Sequence, residues 1–167
     1  MVAAAAFPLF DGASFSGLGL GAVVGISREY PELLELINDA GRALIDDIGD
    51  DCVGELTAKY PFRRLAEFTI SADPINEPVA QAVLADLRMG SEAPTAPVHL
   101  WHGQLDQLVP FSAVQVLQQE WCAGGATVQL VSAPTEHLSH VVLGLPGAYA
   151  FLAGRFAGLP PPSTCPG

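Results

Sequence analysis

Two residues in this chain have the types and spacing to hold and use a base. Asp106 lies in "HLWHGQLDQLVP" (residues 99–110) and His137 in "TEHLSH" (residues 135–140), 31 positions further on. A carboxylate that accepts the Nδ1–H of an imidazole fixes its tautomer. It also stabilises the imidazolium that forms when the other nitrogen takes a proton. This is the acid-to-base half of a nucleophilic triad. Each residue also has a plainer use. Asp106 can serve "LDQLVPFSAV" as a turn former or helix N-cap, and His137 can be an ordinary loop histidine. His140, three residues beyond His137, is the competing candidate for the base. His99 and His102 form an H-x-x-H, but on a strand that spacing places them on opposite faces, which argues against a shared metal.

The elements around these residues form an alternating series. "APVHLWHG" reads as a short apolar strand. "FSAVQVLQQEWCAGG" reads as an amphipathic helix that stops at a glycine pair, and "ATVQLVSAP" alternates as a second strand. "HVVLGLPGAYAFLAGRFAG" reads as a helix interrupted by Pro146. Strand–helix–strand–helix with short loops predicts a parallel α/β unit. Function in such sheets gathers in the loops beyond the carboxyl ends of the strands. Neighbouring strands lie about 4.8 Å apart, so loops at the same end can bring Asp106 and His137 together. Trp101 and Trp121 are read as core residues.

The front half has a different texture. "FSGLGLGAVVGISREY" predicts a tightly packed helix, or a pair, ending near Tyr30. "PELLELINDAGRALIDDI" predicts one amphipathic helix, with Leu33, Leu36, Ile37, Ala40, Leu44 and Ile45 at helical spacing. "DPINEPVAQAVLADLRMG" predicts another, closing at Gly90. The expected organisation is a mostly helical segment over residues 1–90, followed by an α/β segment over 91–167.

Composition narrows the function classes. The net charge is −11 with seven basic residues, which argues against nucleic acid. Nine of the 18 acidic residues fall between Glu29 and Glu55, a pattern read as a solvated acidic face. No apolar run reaches the roughly 18 residues of a membrane span, and "MVAAAAFPLF" lacks the basic start of a signal peptide. Either the protein stays inside the cell or Met1 is not the true beginning of the gene product. Cys52, Cys122 and Cys165 make an odd count with no zinc-type spacing. Cys165 lies in the Pro-rich tail "GLPPPSTCPG", and pinning a tail is a common use of a disulfide in oxidising compartments. A Cys122–Cys165 bridge is therefore expected, with Cys52 unpartnered; three reduced thiols is the competing reading.

The order acid then histidine is that of α/β-hydrolases. "HGQLDQLVP", "WCAGGATV", "EHLSH" and "FLAGRFAGLPPPSTC" resemble the C-terminal part of the secretory lipase family, and "GISREYPELLELINDAG" is similar to its helical cap segment. The resemblance implies the C-terminal part of an α/β-hydrolase sheet preceded by a mostly helical cap. It implies Asp106 as the orienting acid and His137 as the base. The implied reaction is carboxylic ester hydrolysis, on triacylglycerols, through an acyl-enzyme in a secreted protein that contacts a lipid interface. No metal or organic cofactor is implied. Phe15, Leu18, Leu20, Val23 and Val24 line an acyl tunnel in this reading, or simply form the cap core.

The sequence departs from the family at one point. None of the nine serines lies in a G-x-S-x-G, and "GASFSG" misses the spacing at both Ser14 and Ser16. The chain is accordingly expected to be roughly the C-terminal 40 per cent of a lipase-like hydrolase, inactive by itself. A sheet cut between strands exposes an apolar edge, so self-association is expected. The rival readings are a truncated or degenerate, non-catalytic hydrolase, and an enzyme acting on short-chain esters or a polyester.

Overall fold

The computed structural model describes residues 10–49, 51–88 and 90–166, which divide into two compact units meeting in sequence at residues 88–89. The N-terminal unit is helical. Helix α1 (Ser16–Glu29) buries Leu20 and Val24 against Leu44 and Ile48 of α2 (Asp39–Ile48) and Leu56 of α3 (Val53–Lys59). Leu65 and Phe68, from the 3-10 turn Leu65–Phe68, complete this core. Helix α4 (Pro78–Asp86) follows, with Tyr30 donating a hydrogen bond to Asp86 at 2.6 Å.

The single helix expected from Pro31 to Ile48 is in fact two pieces. Pro31–Leu36 is a 3-10 turn, Ile37 pairs with Thr69 in an isolated antiparallel bridge, and α2 starts after Asn38. Asn38 causes the break. Its side chain accepts from the Gly41 amide at 2.9 Å, which caps α2, and its amide donates to the carbonyls of Glu67 and Thr69. Local capping and these long-range bonds outweigh helical periodicity.

The C-terminal unit is the expected α/β alternation. Strands β1 (Val98–Gly103) and β2 (Val128–Ala133) pair in parallel, with Val98 opposite Val128 and Gly103 opposite Ala133. Helix α5 (Phe111–Ala123) connects them, and α6 (His137–Phe156) packs mainly on β1. Helix α6 is continuous through Pro146, where the sequence predicted an interruption. The lost amide would have bonded to the carbonyl of Val142, a residue on the exposed side of the helix, where an unpaired carbonyl costs less than on the buried side. Its buried side presents His140, Gly144 and Phe151. Gly144 lies so near Trp101 that a Cβ there would stand 2.2 Å from the indole. Trp101 and Trp121 are half-buried rather than core, with indole N–H groups donating to the carbonyls of His140 and Gly90.

Cys122 and Cys165 form the expected disulfide, and Cys52 is free and exposed. The bridge fixes the tail along the outer edge of β2. There the Thr164 amide donates to the Val128 carbonyl, and the Leu130 amide donates to Thr164 Oγ1, each at 2.8 Å. A polar tail so placed blocks that edge against further strand pairing.

Candidate active site

The carboxyl ends of β1 and β2 finish level, and the main chain stays zipped beyond them. The Gln104 amide donates to Ala133 at 2.8 Å and the Leu105 amide to Thr135 at 3.1 Å. This approach requires glycine at 103, because a Cβ would stand 2.4 Å from the Thr135 carbonyl oxygen. The two following loops are thereby held side by side.

Asp106 sits at the turn of the first loop. Its Oδ1 accepts from the amides of Leu108 and Val109, both at 2.8 Å, so the residue forms the turn itself, the plainer use open to it in the sequence. His102 braces the same loop, its Nε2 lying 2.9 Å from the Val109 carbonyl. The second loop ends in Glu136, whose side chain caps α6 by accepting from the amides of Leu138 and Ser139. That cap makes His137 the first residue of the helix and turns its ring towards Asp106. His137 Nδ1 lies 2.9 Å from Asp106 Oδ2 and 3.1 Å from Oδ1.

The two partners differ in exposure. The Asp106 side chain is fully buried, whereas that of His137 is 31 % exposed. Burial alone would raise the Asp106 carboxyl. The Val109 amide, the His137 imidazole and the Leu108 amide together outweigh it and hold the group below the ordinary carboxylate range. A carboxylate so fixed accepts Nδ1–H, which leaves Nε2 of His137 with its lone pair free to take a proton. Among the described residues, no serine hydroxyl is hydrogen-bonded to His137. Ser16, one of the two serines of "GASFSG", is buried in the N-terminal unit. Its Oγ donates to the Tyr60 carbonyl at 2.6 Å and accepts from the Arg63 amide.

Two further imidazoles surround the acid. His102 Nε2 and His140 Nδ1 lie 3.4 and 3.6 Å from Asp106 Oδ2, and the three ligand-type atoms fall within 4.8 Å of one another. Each of these ring nitrogens also faces a backbone carbonyl, Val109 for His102 and Glu136 for His140. Both are accounted for as N–H donors, an arrangement of donors around a carboxylate rather than of ligands around a cation. His140 is thus placed against Asp106 but at a longer distance than His137. His99 faces away from this group, with Nδ1 on Gln129 and its ring stacked on Phe151. The bracing roles of His102 and Gly103 escaped the sequence reading. The adjacent "HG" at a strand's end was the available signal.

The N-terminal unit contains an apolar cavity of about 280 Å³ whose lining includes Leu18, Val23, Ile26, Leu36, Ile75 and Leu84. Of the residues considered for an acyl tunnel, Leu18 and Val23 line it, while Leu20 and Val24 belong to the buried core.

Parallel strands delivering an acid and then a histidine from successive loops define the C-terminal part of an α/β-hydrolase. The chain belongs to the secretory lipase family, whose model it matches over residues 3–164. It is 31 % identical over 161 residues to a secreted triacylglycerol lipase of Malassezia furfur, covering 89 % of this chain and 33 % of that protein. It is 26 % identical over 167 residues to lipase 4 of Candida albicans, covering 93 % of this chain and 36 % of that one. Its fold is that of Candida antarctica lipase A, with a TM-score of 0.89 at 24 % identity, over 98 % of this chain and 41 % of that structure. The chain thus spans about a third to two fifths of the length of these relatives.

Proposed function

We propose that this chain carries the acid and base of a secreted carboxylic ester hydrolase that acts on triacylglycerols through an acyl-enzyme. His137 is the general base for acyl-enzyme formation and the acid for departure of the alcohol. Asp106 orients His137 and stabilises its imidazolium. The nucleophilic serine and its oxyanion donors come from polypeptide outside these 167 residues, so the chain by itself does not turn over esters. The helical segment 1–90 contributes the apolar cavity, whose size and lining suit an acyl chain.

The observation that carries this reading is the 2.9 Å contact between a buried carboxylate and an accessible imidazole at the ends of neighbouring parallel strands. The names of the relatives, secreted triacylglycerol lipases among them, support the substrate class and the extracellular setting. The test is to assay the isolated chain, and the chain extended by its upstream coding sequence, on triacylglycerol emulsions and with a fluorophosphonate probe. Hydrolysis and serine labelling by the extended protein alone are expected. Stoichiometric labelling of a serine within the 167 residues would overturn the assignment. An extended protein inert towards triacylglycerols, short-chain esters and polyesters would favour a degenerate, non-catalytic chain.

A further inference from the structure

The two oxygens of Asp106 have different surroundings. Oδ1 is satisfied by two backbone amides, whereas Oδ2 faces three imidazoles, with His137 Nδ1 at 2.9 Å, His102 Nε2 at 3.4 Å and His140 Nδ1 at 3.6 Å. The side chains of His102 and His140 are buried, so neither ring is placed to touch a substrate as the more exposed His137 is. Their neighbours fix their protons. His102 Nε2 lies 2.9 Å from the Val109 carbonyl and His140 Nδ1 lies 3.2 Å from that of Glu136. A carbonyl only accepts, so each of these nitrogens carries a hydrogen. The positive ends of two N–H dipoles thus stand beside Oδ2, too distant to be hydrogen bonds to it but near enough to act on its charge.

Packing holds both rings where they are. His102 stacks on Phe111 of α5 at 6.1 Å and meets His140 at 5.1 Å. His140 in turn meets His137 in a T-shaped contact at 5.5 Å. The His140 carbonyl accepts from the Trp101 indole at 2.5 Å, which pins this turn of α6 to β1. Glu136 also faces His137, but its carboxylate is engaged by the Leu138 and Ser139 amides in capping α6. A buried carboxylate with a single imidazole partner holds the Nδ1 proton hard and favours the imidazolium. That state is useless to a general base, whose Nε2 must keep its lone pair. Two further N–H dipoles stabilise the anion without adding a charge, and their positive ends oppose a cation on the neighbouring ring.

We infer that His102 and His140 are positioning residues of the acid–base pair, two neutral N–H groups that share the charge of Asp106 Oδ2 with His137 and so keep the base neutral and ready to accept a proton. Its meaning for catalysis rests on the function proposed above. The sharing of charge does not, and it is measurable in the isolated chain.

Imidazole nitrogen NMR spectra of the 167-residue chain at neutral pH are the first test. A hydrogen on Nε2 of His102 and on Nδ1 of His140 is expected, and a bare nitrogen at either place overturns the inference. His140→Leu and His102→Met keep bulk without a donor. Each should move the His137 Nδ1 proton downfield, because Asp106 then turns more of its charge to that bond. His140→Asn puts an N–H near the place of Nδ1, and His102→Gln puts one near that of Nε2, so both should hold the resonance close to its natural position. A resonance unmoved by loss of the donors, or one that moves or vanishes alike in all four variants, would mean that the rings only pack. In the chain extended by its upstream coding sequence, the acid limb of kcat/KM should rise by roughly one pH unit in the His102→Met, His140→Leu double variant. It should return with His102→Gln, His140→Asn. An unmoved limb in an active protein also overturns the inference. A protein inert in every form counts against the functional reading alone, because the resonances of the isolated chain decide the sharing of charge.

Discussion

Asp106 Oδ2 lies 2.9 Å from His137 Nδ1 although 31 residues separate them, and every element between them contributes to that distance. Strand β1 carries one residue to the sheet end, α5 returns the chain, and β2 brings the other level with it. Gly103 permits the loops to touch, and Glu136 starts α6 at His137. Asp106→Asn keeps the size of the side chain but offers an N–H where the imidazole needs an acceptor. In the isolated chain, the Asn variant should lose the strongly downfield Nδ1 proton of His137 in NMR spectra while the fold persists. In a polypeptide that also carries the serine, kcat should fall by about 10⁴-fold.

The same pair sets a pH response. The Asp106 carboxyl titrates below its usual 3.8 in the folded chain because the amides of Val109 and Leu108 and the His137 ring outweigh its burial. A group whose folded pKa is depressed stabilises the fold above its unfolded pKa. That contribution is lost as the pH falls through the folded value. Urea midpoints measured from neutral pH to about pH 3 should therefore fall more for the natural chain than for Asp106→Asn. Parallel curves would mean that Asp106 adds nothing to acid sensitivity.

Gly103 offers a test of how the loops are held. Gly103→Ala places a methyl 2.4 Å from the Thr135 carbonyl, a backbone atom that cannot swing aside. The zipper through Gln104 and Leu105 must open, at a cost of about 1–3 kcal/mol. Chemical denaturation should read that loss. The His137 Nδ1 proton should broaden or vanish with it, because the loop bearing Asp106 moves.

Much of this was legible in the sequence because it is local or periodic. Strand, helix and strand between Val98 and Ala133 follow from alternation and turn residues, and acid-then-histidine order follows from placing Asp106 and His137 after the two strands. What escaped depends on long-range geometry. Ile37 has helical spacing, yet its bridge to Thr69 and the bonds of Asn38 to Glu67 and Thr69, some 30 residues away, interrupt the helix there. Pro146 looks like a break, yet the carbonyl it orphans belongs to Val142 on the exposed side of α6, a placement that the local pattern around the proline does not reveal. Strand periodicity already set His99 and His102 on opposite faces, but that His102 braces the Asp106 loop through the Val109 carbonyl depends on the path of that loop, which periodicity does not show.

The Cys122–Cys165 bridge closes a separation of 43 residues and holds the tail on β2. Reduction should lower stability by about 2–4 kcal/mol, through the unfolded chain's regained freedom. Its local signature is sharper. The Leu130 amide, bonded to Thr164 Oγ1 at 2.8 Å, should exchange with solvent faster once the tail is released, while amides inside α1 and α2 keep their rates. Uniform acceleration across the chain would instead indicate global unfolding.

Helix α6 makes the last prediction. Leu138, Val141, Val142, Leu145, Tyr149, Leu152 and Phe156 follow one another at spacings of three, one, three, four, three and four residues, and all are exposed, from 46 % at Leu145 to 91 % at Phe156. They form a continuous apolar stripe on the side opposite His140, Gly144 and Phe151. Contiguous exposed apolar surface of this kind drives association in water. The 167-residue chain should therefore sediment as a concentration-dependent mixture of oligomers. Val142→Lys with Leu152→Glu should shift it towards monomer without lowering the thermal midpoint, since neither side chain is buried. Monodisperse monomer for the unaltered chain at all concentrations would show that the stripe is not sticky, and loss of stability in the double variant would show that it is already packed.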